Sequence, residues 1–247
     1  MRLLSFKANG DIAWNEFINP DHIPSYAILS HTWDADEATY RDLVDGSIQA
    51  KKGYEKVRFC GEQAKEDGLD YFWVDTCCID KSSSAELSEA INSMFSWYRN
   101  ASRCYVRLMD VWGPSDPSDD WVAVAEKSTA IGSIQETLPQ KWKEDFCRAK
   151  WFTRGWTLQE LIAPRSVSFF SHDKHLLGDK GSLEDLINEI TGVPQSVLNG
   201  SALSTWAVTE RLSWAANRQT TRIEDGAYCL LGIFDIVMPL IYDLSRL

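Results

Sequence analysis

One strand–helix–strand pattern near the middle of the chain constrains the fold more than any other feature. Residues Ala85–Asn100 carry apolar side chains at helical spacing, namely Leu87, Ala90, Ile91, Met94, Phe95 and Tyr98. The motif Ser83-x-x-Glu86 predicts a capping box at the start of this helix. The flanking segments Tyr71–Asp75 and Cys104–Met109 are short, apolar and typical of strands. A helix between two such strands predicts a parallel pair with the helix against the sheet.

The rest of the chain extends this pattern. Strands are also predicted at Met1–Phe6, Tyr26–Ser30 and Ser166–Phe170, and a helix at Tyr54–Glu66. We therefore expect a single α/β domain, with a parallel β-sheet flanked by helices over residues 1–170. Residues 171–247 predict a helical C-terminal portion packed against the sheet, with helices at Ser182–Thr191, Thr209–Asn217 and Glu224–Ile236. The stretch GPSDPSDD, residues 113–120, predicts an exposed loop.

Composition excludes several classes of partner. The 247 residues are 44% hydrophobic, enough for a large core, and carry a net charge of -11. Nucleic acid and anionic membrane surfaces repel such a protein.

The longest apolar stretch is interrupted by Asp235 and Pro239 and is too short to span a bilayer. The N-terminus lacks the apolar segment of a signal peptide, so we expect a cytoplasmic protein. The chain ends at Leu247 without a stop signal such as Gly or Pro, so we expect it to be part of a longer protein.

Cysteine and histidine spacing argues against a metal site. The six cysteines are scattered, with Cys77 and Cys78 as the only close pair, which fits reduced thiols. No CxxC repeat is present, so no structural zinc site is predicted. The pair His172-x-x-His175 lies between polar residues and is typical of a turn.

Candidate ligand-binding residues follow two of the predicted strands. Ligands of parallel α/β sheets bind outside the carboxyl ends of the strands. Ser30, His31, Thr32 and Trp33 follow one strand, and Asp75, Thr76, Cys77 and Cys78 follow another. These small and polar side chains suit a crevice. Alternatively, Ser30 and Asp75 only cap helices and turns.

A third candidate is Glu160, in the stretch RGWTLQEL at residues 154–161. Three tryptophans and two phenylalanines lie between Trp142 and Trp156, so this glutamate sits either at the rim of a hydrophobic core or in an aromatic-lined cleft. On a helix beginning near Gly155, Trp156 and Glu160 share one face. A glutamate at this spacing can also be an ordinary residue of a helix surface.

Several longer stretches together resemble the HET domain, the fungal heterokaryon incompatibility module. They are YAILSHTW at 26–33, WVDTCCIDK at 73–81, RGWTLQELIAP at 154–164, RLSWA at 211–215 and EDGAYCLLGIFDIVMPLIY at 224–242. The resemblance implies a role in programmed cell death after fusion of incompatible fungal cells. It is greatest to HET domains that precede a NACHT ATPase and WD40 repeats in NLR-like receptors.

HET domains in turn resemble TIR domains, which implies a TIR-like sheet, self-association and an enzymatic activity. The stretch WTLQEL is similar to a plant TIR motif whose glutamate is catalytic in NAD+ cleavage, and that glutamate falls on Glu160. NAD+ would be the substrate, without any other cofactor. The remaining expected substrate-binding residues flank the same strands and helix. Ser30, His31 and Asp75 are expected near ribose or phosphate, Trp33 and Trp156 against the flat rings, and Arg154 at the pyrophosphate. Cys77 is also expected to bind substrate.

Two features depart from the TIR pattern. The stretch between Cys104–Met109 and Trp156 is longer than in a compact TIR domain, and the helical region after Phe170 has no simple counterpart. Two other functions remain open. One is a non-enzymatic adaptor that signals by self-assembly. The other is a cysteine hydrolase using Cys77 or Cys78 with His31, which requires the thiol within hydrogen-bond reach of the imidazole.

Overall fold

The computed structural model describes residues 1–113 and 140–242. Its centre is a seven-stranded mixed sheet in the order β2-β1-β4-β3-β5-β6-β7. The four strands β4, β3, β5 and β6 are mutually parallel, which confirms the predicted α/β class. The strands are β1 Arg2–Phe6, β2 Ile12–Glu16, β3 Tyr26–His31, β4 Tyr71–Trp73, β5 Arg103–Arg107, β6 Val167–Phe170 and β7 Leu176–Asp179.

Both edges of the sheet correct the prediction of an all-parallel arrangement. Strand β1 was predicted, but it pairs antiparallel with β4 and forms a hairpin with β2, which was not predicted. The signal for this hairpin was Asn9-Gly10, because Gly10 takes a φ of +86° that the turn requires. At the other edge, β7 pairs antiparallel with β6, so the C-terminal portion that was predicted to be helical begins with a strand. The turn between β6 and β7 contains His172 and His175, as predicted.

Helices cover both faces of the parallel strands. Neighbouring residues of β5 point to opposite faces. The Tyr105 hydroxyl donates to Asp67 at the end of the second helix, whereas the Cys104 thiol lies 3.9 Å from the Glu160 carbonyl oxygen on the other side. The described α-helices are α1 Tyr40–Val44, α2 Tyr54–Glu66, α3 Asp75–Cys78, α4 Ser84–Asn100, α5 Gln140–Cys147, α6 Thr157–Ile162, α7 Glu184–Thr191, α8 Gln195–Leu198, α9 Val208–Ser213, α10 Asp225–Tyr228 and α11 Leu231–Phe234. Short 3-10 helices occupy Pro20–His22, Ile48–Ala50, Lys150–Thr153 and Leu203–Thr205.

Helix α4 is the long helix that the sequence predicted, and its start differs in one detail. The Ser83 side chain accepts a hydrogen bond from the Glu86 amide, as a cap should. The Glu86 carboxylate, however, accepts from the Asp80 amide and pairs with Arg2 at 2.8 Å instead of returning to Ser83. The long-range ion pair with Arg2 thus replaces half of the predicted capping box.

The C-terminal portion is helical but more broken than predicted. The helix predicted at Thr209–Asn217 is the shorter α9, and that predicted at Glu224–Ile236 is divided into α10 and α11. A small apolar cluster of Ile91, Tyr228 and Leu231 fixes these two helices to α4. Residues 114–120 of the predicted loop lie outside the described residues, and the division of the chain at residue 170 stays a prediction. None of the described helices is long and apolar enough to cross a bilayer.

Candidate active site

A cavity of about 290 Å3 opens at the carboxyl ends of β3 and β4. This volume lies near the lower end of the range of about 300–1,000 Å3 for small-molecule pockets. Helices α4 and α6 form two walls, with Leu87, Ile91 and Met94 on the apolar side. Most of the predicted site residues line this cavity, namely His31, Trp33, Asp75, Arg154, Trp156 and Glu160.

Glu160 lines the cavity and is 8% exposed. The Ser30 hydroxyl donates a hydrogen bond to Glu160 Oε2, and the Trp151 indole N–H donates to Ser30 Oγ at 2.7 Å. The Tyr98 hydroxyl donates to the Leu29 carbonyl at 2.9 Å, which leaves its oxygen to face the same carboxyl group. Because the Ser30 hydroxyl is itself held by the buried Trp151 indole, the hydrogen bond to Oε2 orients the Glu160 side chain.

Burial determines the protonation state of Glu160. It raises the pKa of this carboxyl group to about 8, and repulsion by Asp75 acts in the same direction. The hydrogen bond from Ser30, the neighbouring Tyr98 hydroxyl and the positive charge of Arg218 oppose the rise without cancelling it. At neutral pH the Glu160 carboxyl group is therefore mainly a neutral acid.

A second set of polar groups lies at the ends of β3 and β4. The Trp33 indole N–H donates to Asp75 Oδ2 at 2.9 Å. The His31 ring lies between two carboxylates, with Nδ1 3.9 Å from Asp75 and Nε2 3.6 Å from Glu37. Lys81 places its ammonium 3.4 Å from the centre of the Trp33 ring and 3.9 Å from Asp75 Oδ2. This part of the cavity therefore combines an aromatic face with carboxylates.

The C-terminal portion supplies the remaining wall, with Thr221, Arg222, Asp225 and Tyr242. A backbone bridge joins it to the segment before α6, since the Gly155 amide donates to the Gln219 carbonyl at 2.9 Å. Arg218 strengthens the connection by donating from Nη1 to the Arg154 carbonyl and the Thr157 hydroxyl, both at 2.9 Å. The C-terminal portion, which was expected to pack against the sheet, thus also contacts the segment that carries Arg154 and closes one side of the cavity.

Two of the residues that the resemblance assigned to substrate binding do not line the cavity. Ser30 is fully buried behind Glu160, so its hydroxyl orients the carboxyl group and does not face a ligand. Cys77 is also fully buried, and its thiol donates to the Ala38 carbonyl at 3.1 Å. Sequence reasoning missed Trp151, Tyr98, Lys81 and the C-terminal wall. The only signal was the run of aromatic residues before Glu160, which contains Trp151.

The geometry also argues against a cysteine nucleophile. Burial raises the pKa of the Cys77 thiol to about 12 and that of Cys78 well above its ordinary value. The Cys78 sulfur accepts from the Val74 amide at 3.4 Å. Both thiols are therefore protonated and directed into the core, and His31 contacts carboxylates instead.

Comparison with known proteins places this site within a family. The family model described as heterokaryon incompatibility protein (HET) matches residues 26–160, more than half of the chain. The chain belongs to the HET family. The match begins at the first residue of β3 and ends at Glu160, so the site residues on β3, β4 and α6 lie within it, whereas the C-terminal wall of this HET domain lies beyond it.

A longer relative covers the C-terminal wall as well. The HET domain is 52% identical over 244 residues to the vegetative incompatibility protein HET-E-1 of Podospora anserina. The alignment covers 98% of the chain but 17% of that protein, so the chain spans about one sixth of the length of this relative. No solved structure matches the chain.

Proposed function

We propose that this HET domain cleaves NAD+ at the bond between nicotinamide and ribose. The observation that carries the proposal is the buried carboxyl group of Glu160, which is oriented by Ser30 and lines the same cavity as Trp156. A buried acid or base with a strongly raised pKa is a frequent property of catalytic groups. The cavity is smaller than a dinucleotide, so it would enclose the nicotinamide riboside half, with Arg154 and Arg222 near the phosphates at its mouth.

The proposed reaction needs one carboxylate. The carbon–nitrogen bond breaks, and its electron pair stays on the ring nitrogen, so that nicotinamide leaves as a neutral molecule without a proton. The ribose carbon becomes oxocarbenium-like, and ionised Glu160 stabilises its positive charge. Water then forms the new carbon–oxygen bond, and Glu160 accepts the proton that water loses. The cationic substrate ring favours ionisation of Glu160 on binding, because opposite charges lower the pKa of a carboxyl group.

Family membership supports a role in heterokaryon incompatibility. The name of the relative refers to vegetative incompatibility, and the present chain corresponds to a small part of that protein. We further propose that the domain is a cytoplasmic effector of cell death, followed by NACHT and WD40 regions in the whole protein, and that self-association activates it. Clustering by an oligomerising neighbour would raise its effective concentration without new contacts.

Nicotinamide release from NAD+ by the purified chain tests the proposal directly. Release is measured with and without artificial clustering, for the wild type and for Glu160→Gln, which keeps the side-chain shape and the hydrogen bond from Ser30. Glu66→Gln is the matched control, since it makes the same substitution at an exposed position. Release by the wild type and the control, with none by folded Glu160→Gln, would support the proposal. Absence of release by the clustered wild type would reject it.

A non-enzymatic adaptor is the second candidate function. It is favoured by a group of exposed apolar side chains beside α11, namely Ile236, Val237, Met238 and Ile241. Exposed apolar patches mark interaction sites. Cell death that persists with Glu160→Gln but is lost on replacing Val237 and Ile241 by serine would favour the adaptor over the enzyme.

A further inference from the structure

The contact between Lys81 and Trp33 has a consequence for ligand selection in the cavity. The ammonium lies 3.4 Å from the centre of the indole ring, well within the distance of about 6 Å for a cation–π interaction. Both side chains line the cavity, and the ring is held by its hydrogen bond to Asp75. The aromatic face and the Asp75 carboxylate together make a place that favours a positive charge.

We propose that this place is a cation site whose resident occupant is Lys81, and that a cationic pyridinium ring displaces Lys81 from Trp33. Only the kind of ring that enters the site rests on the proposed function. The site would select the oxidised nicotinamide ring, which carries a positive charge, over the reduced dihydropyridine ring, which is uncharged. Lys81 is then a specificity-determining residue that competes with the ligand.

The position of Lys81 permits such displacement. Its side chain is 37% exposed at the mouth of the cavity, and its flexible stem can carry the ammonium into water. Burial lowers the pKa of Lys81, because the group is partly dehydrated where it lies. Movement into solvent would restore that hydration. Asp75 would meanwhile remain beside Trp33 as a counter-ion for the incoming ring.

Competition of this kind predicts the direction in which a substitution acts. The ligand must displace one cation–π contact before it can make its own, so removal of the lysine charge raises the affinity for a cationic ring. The contribution of one such contact corresponds to a gain of about 2- to 30-fold. Had Lys81 instead bound the carboxamide or a phosphate of the ligand, the same substitution would weaken binding.

Calorimetric binding of two small probes to the whole chain tests the inference without any cleavage. The probes are 1-methylnicotinamide, a cation, and nicotinamide, its neutral counterpart. Lys81→Gln is expected to bind the cation 2- to 30-fold more tightly than the wild type, with little change for the neutral probe. Lys81→Arg retains the cation and is the matched control, expected to bind like the wild type. The gain should disappear when Trp33→Leu is added to Lys81→Gln.

The outcomes separate this inference from the proposed reaction. Unchanged or weaker binding of the cation by folded Lys81→Gln would overturn the inference, as would equal gains for the two probes. If the binding gain is found and NAD+ is not cleaved, the cation site stands and the proposed reaction falls. If NAD+ is cleaved and the gain is absent, the reaction stands and the role of Lys81 falls.

Discussion

Replacement of Glu160 by glutamine is expected to make the protein more stable at pH 8 than the wild type. The pKa of this carboxyl group is about 8 in the folded protein and 4.5 in the absence of perturbation. Between these values the folded state keeps a proton that the unfolded state releases. The stabilisation that this proton gives the folded wild type is therefore complete below pH 4.5. It is lost as pH rises to 8, by about 1.4 kcal/mol for each pH unit. The total over this range is on the order of 4 kcal/mol.

Glutamine has the same shape and does not titrate. It can still accept from Ser30, and its amide can donate to the Tyr98 oxygen. The free energy of unfolding is measured in urea at pH 5, 6.5 and 8 for the wild type and Glu160→Gln. Ionisation of all other groups cancels in the difference between the two proteins, which should grow steadily with pH in favour of the variant. The control Glu66→Gln removes an exposed charge and should shift stability by no more than about 0.5 kcal/mol at any pH. A difference for Glu160→Gln that stays constant from pH 5 to 8 would refute the argument that the acid is buried in its neutral form.

Three further predictions concern activity. The kcat/KM for NAD+ should rise about tenfold per pH unit up to about pH 8 and then level off, because ionised Glu160 is the active form. A profile that is flat from pH 6 to 8 would contradict this. Ser30→Ala and Trp151→Phe should each lower kcat more than they change KM, because both residues act through the orientation of Glu160. For the same reason the double variant should be no less active than the poorer single variant. Additive losses would indicate separate roles. Cys77→Ser should leave nicotinamide release intact, and loss of release by the folded variant would return this thiol to the mechanism.

The centre of the fold could be predicted because its signals are local. Strand β3 is buried at every position, and α4 has an uninterrupted apolar stripe, so periodicity identifies both. The order of strand and helix then predicts parallel pairing and the edge of the sheet where ligands bind. For this reason His31, Trp33 and Asp75 could be assigned to one crevice without coordinates. The hairpin of β1 and β2 also has a local signal in the Asn9-Gly10 turn.

What could not be predicted depends on contacts between distant parts of the chain. Nothing in the periodicity of Ser30 indicates that it lies behind Glu160, 130 positions away, instead of facing the cavity. The same holds for Arg218, whose contacts with Arg154 and Thr157 close the C-terminal wall onto α6. Short helices such as α10 and α11 have weak patterns of their own, and their position is set by the apolar cluster with Ile91.

The C-terminal wall and the pKa of Glu160 should be coupled, because the wall helps to exclude water from the cavity. Helix α11 packs so closely on α4 that a Cβ atom added at Gly232 would lie 2.1 Å from Phe95 Cβ. Gly232→Ala should therefore separate the two helices and destabilise the protein by about 1–3 kcal/mol. Water reaching Glu160 would then lower its pKa toward the ordinary value.

The stability measurement described above detects this coupling. In the Gly232→Ala background, the gain from Glu160→Gln at pH 8 should be smaller than in the wild type, because less of the burial cost remains to be removed. Gly226→Ala, in the neighbouring helix α10, is the matched control, since its added Cβ would meet only Thr220 Oγ1 at 3.7 Å. An equal gain in the Gly232→Ala and Gly226→Ala backgrounds would mean that the wall shapes the cavity without controlling the hydration of Glu160. A selective decrease would mean that the C-terminal portion maintains the protonation state on which the proposed chemistry depends.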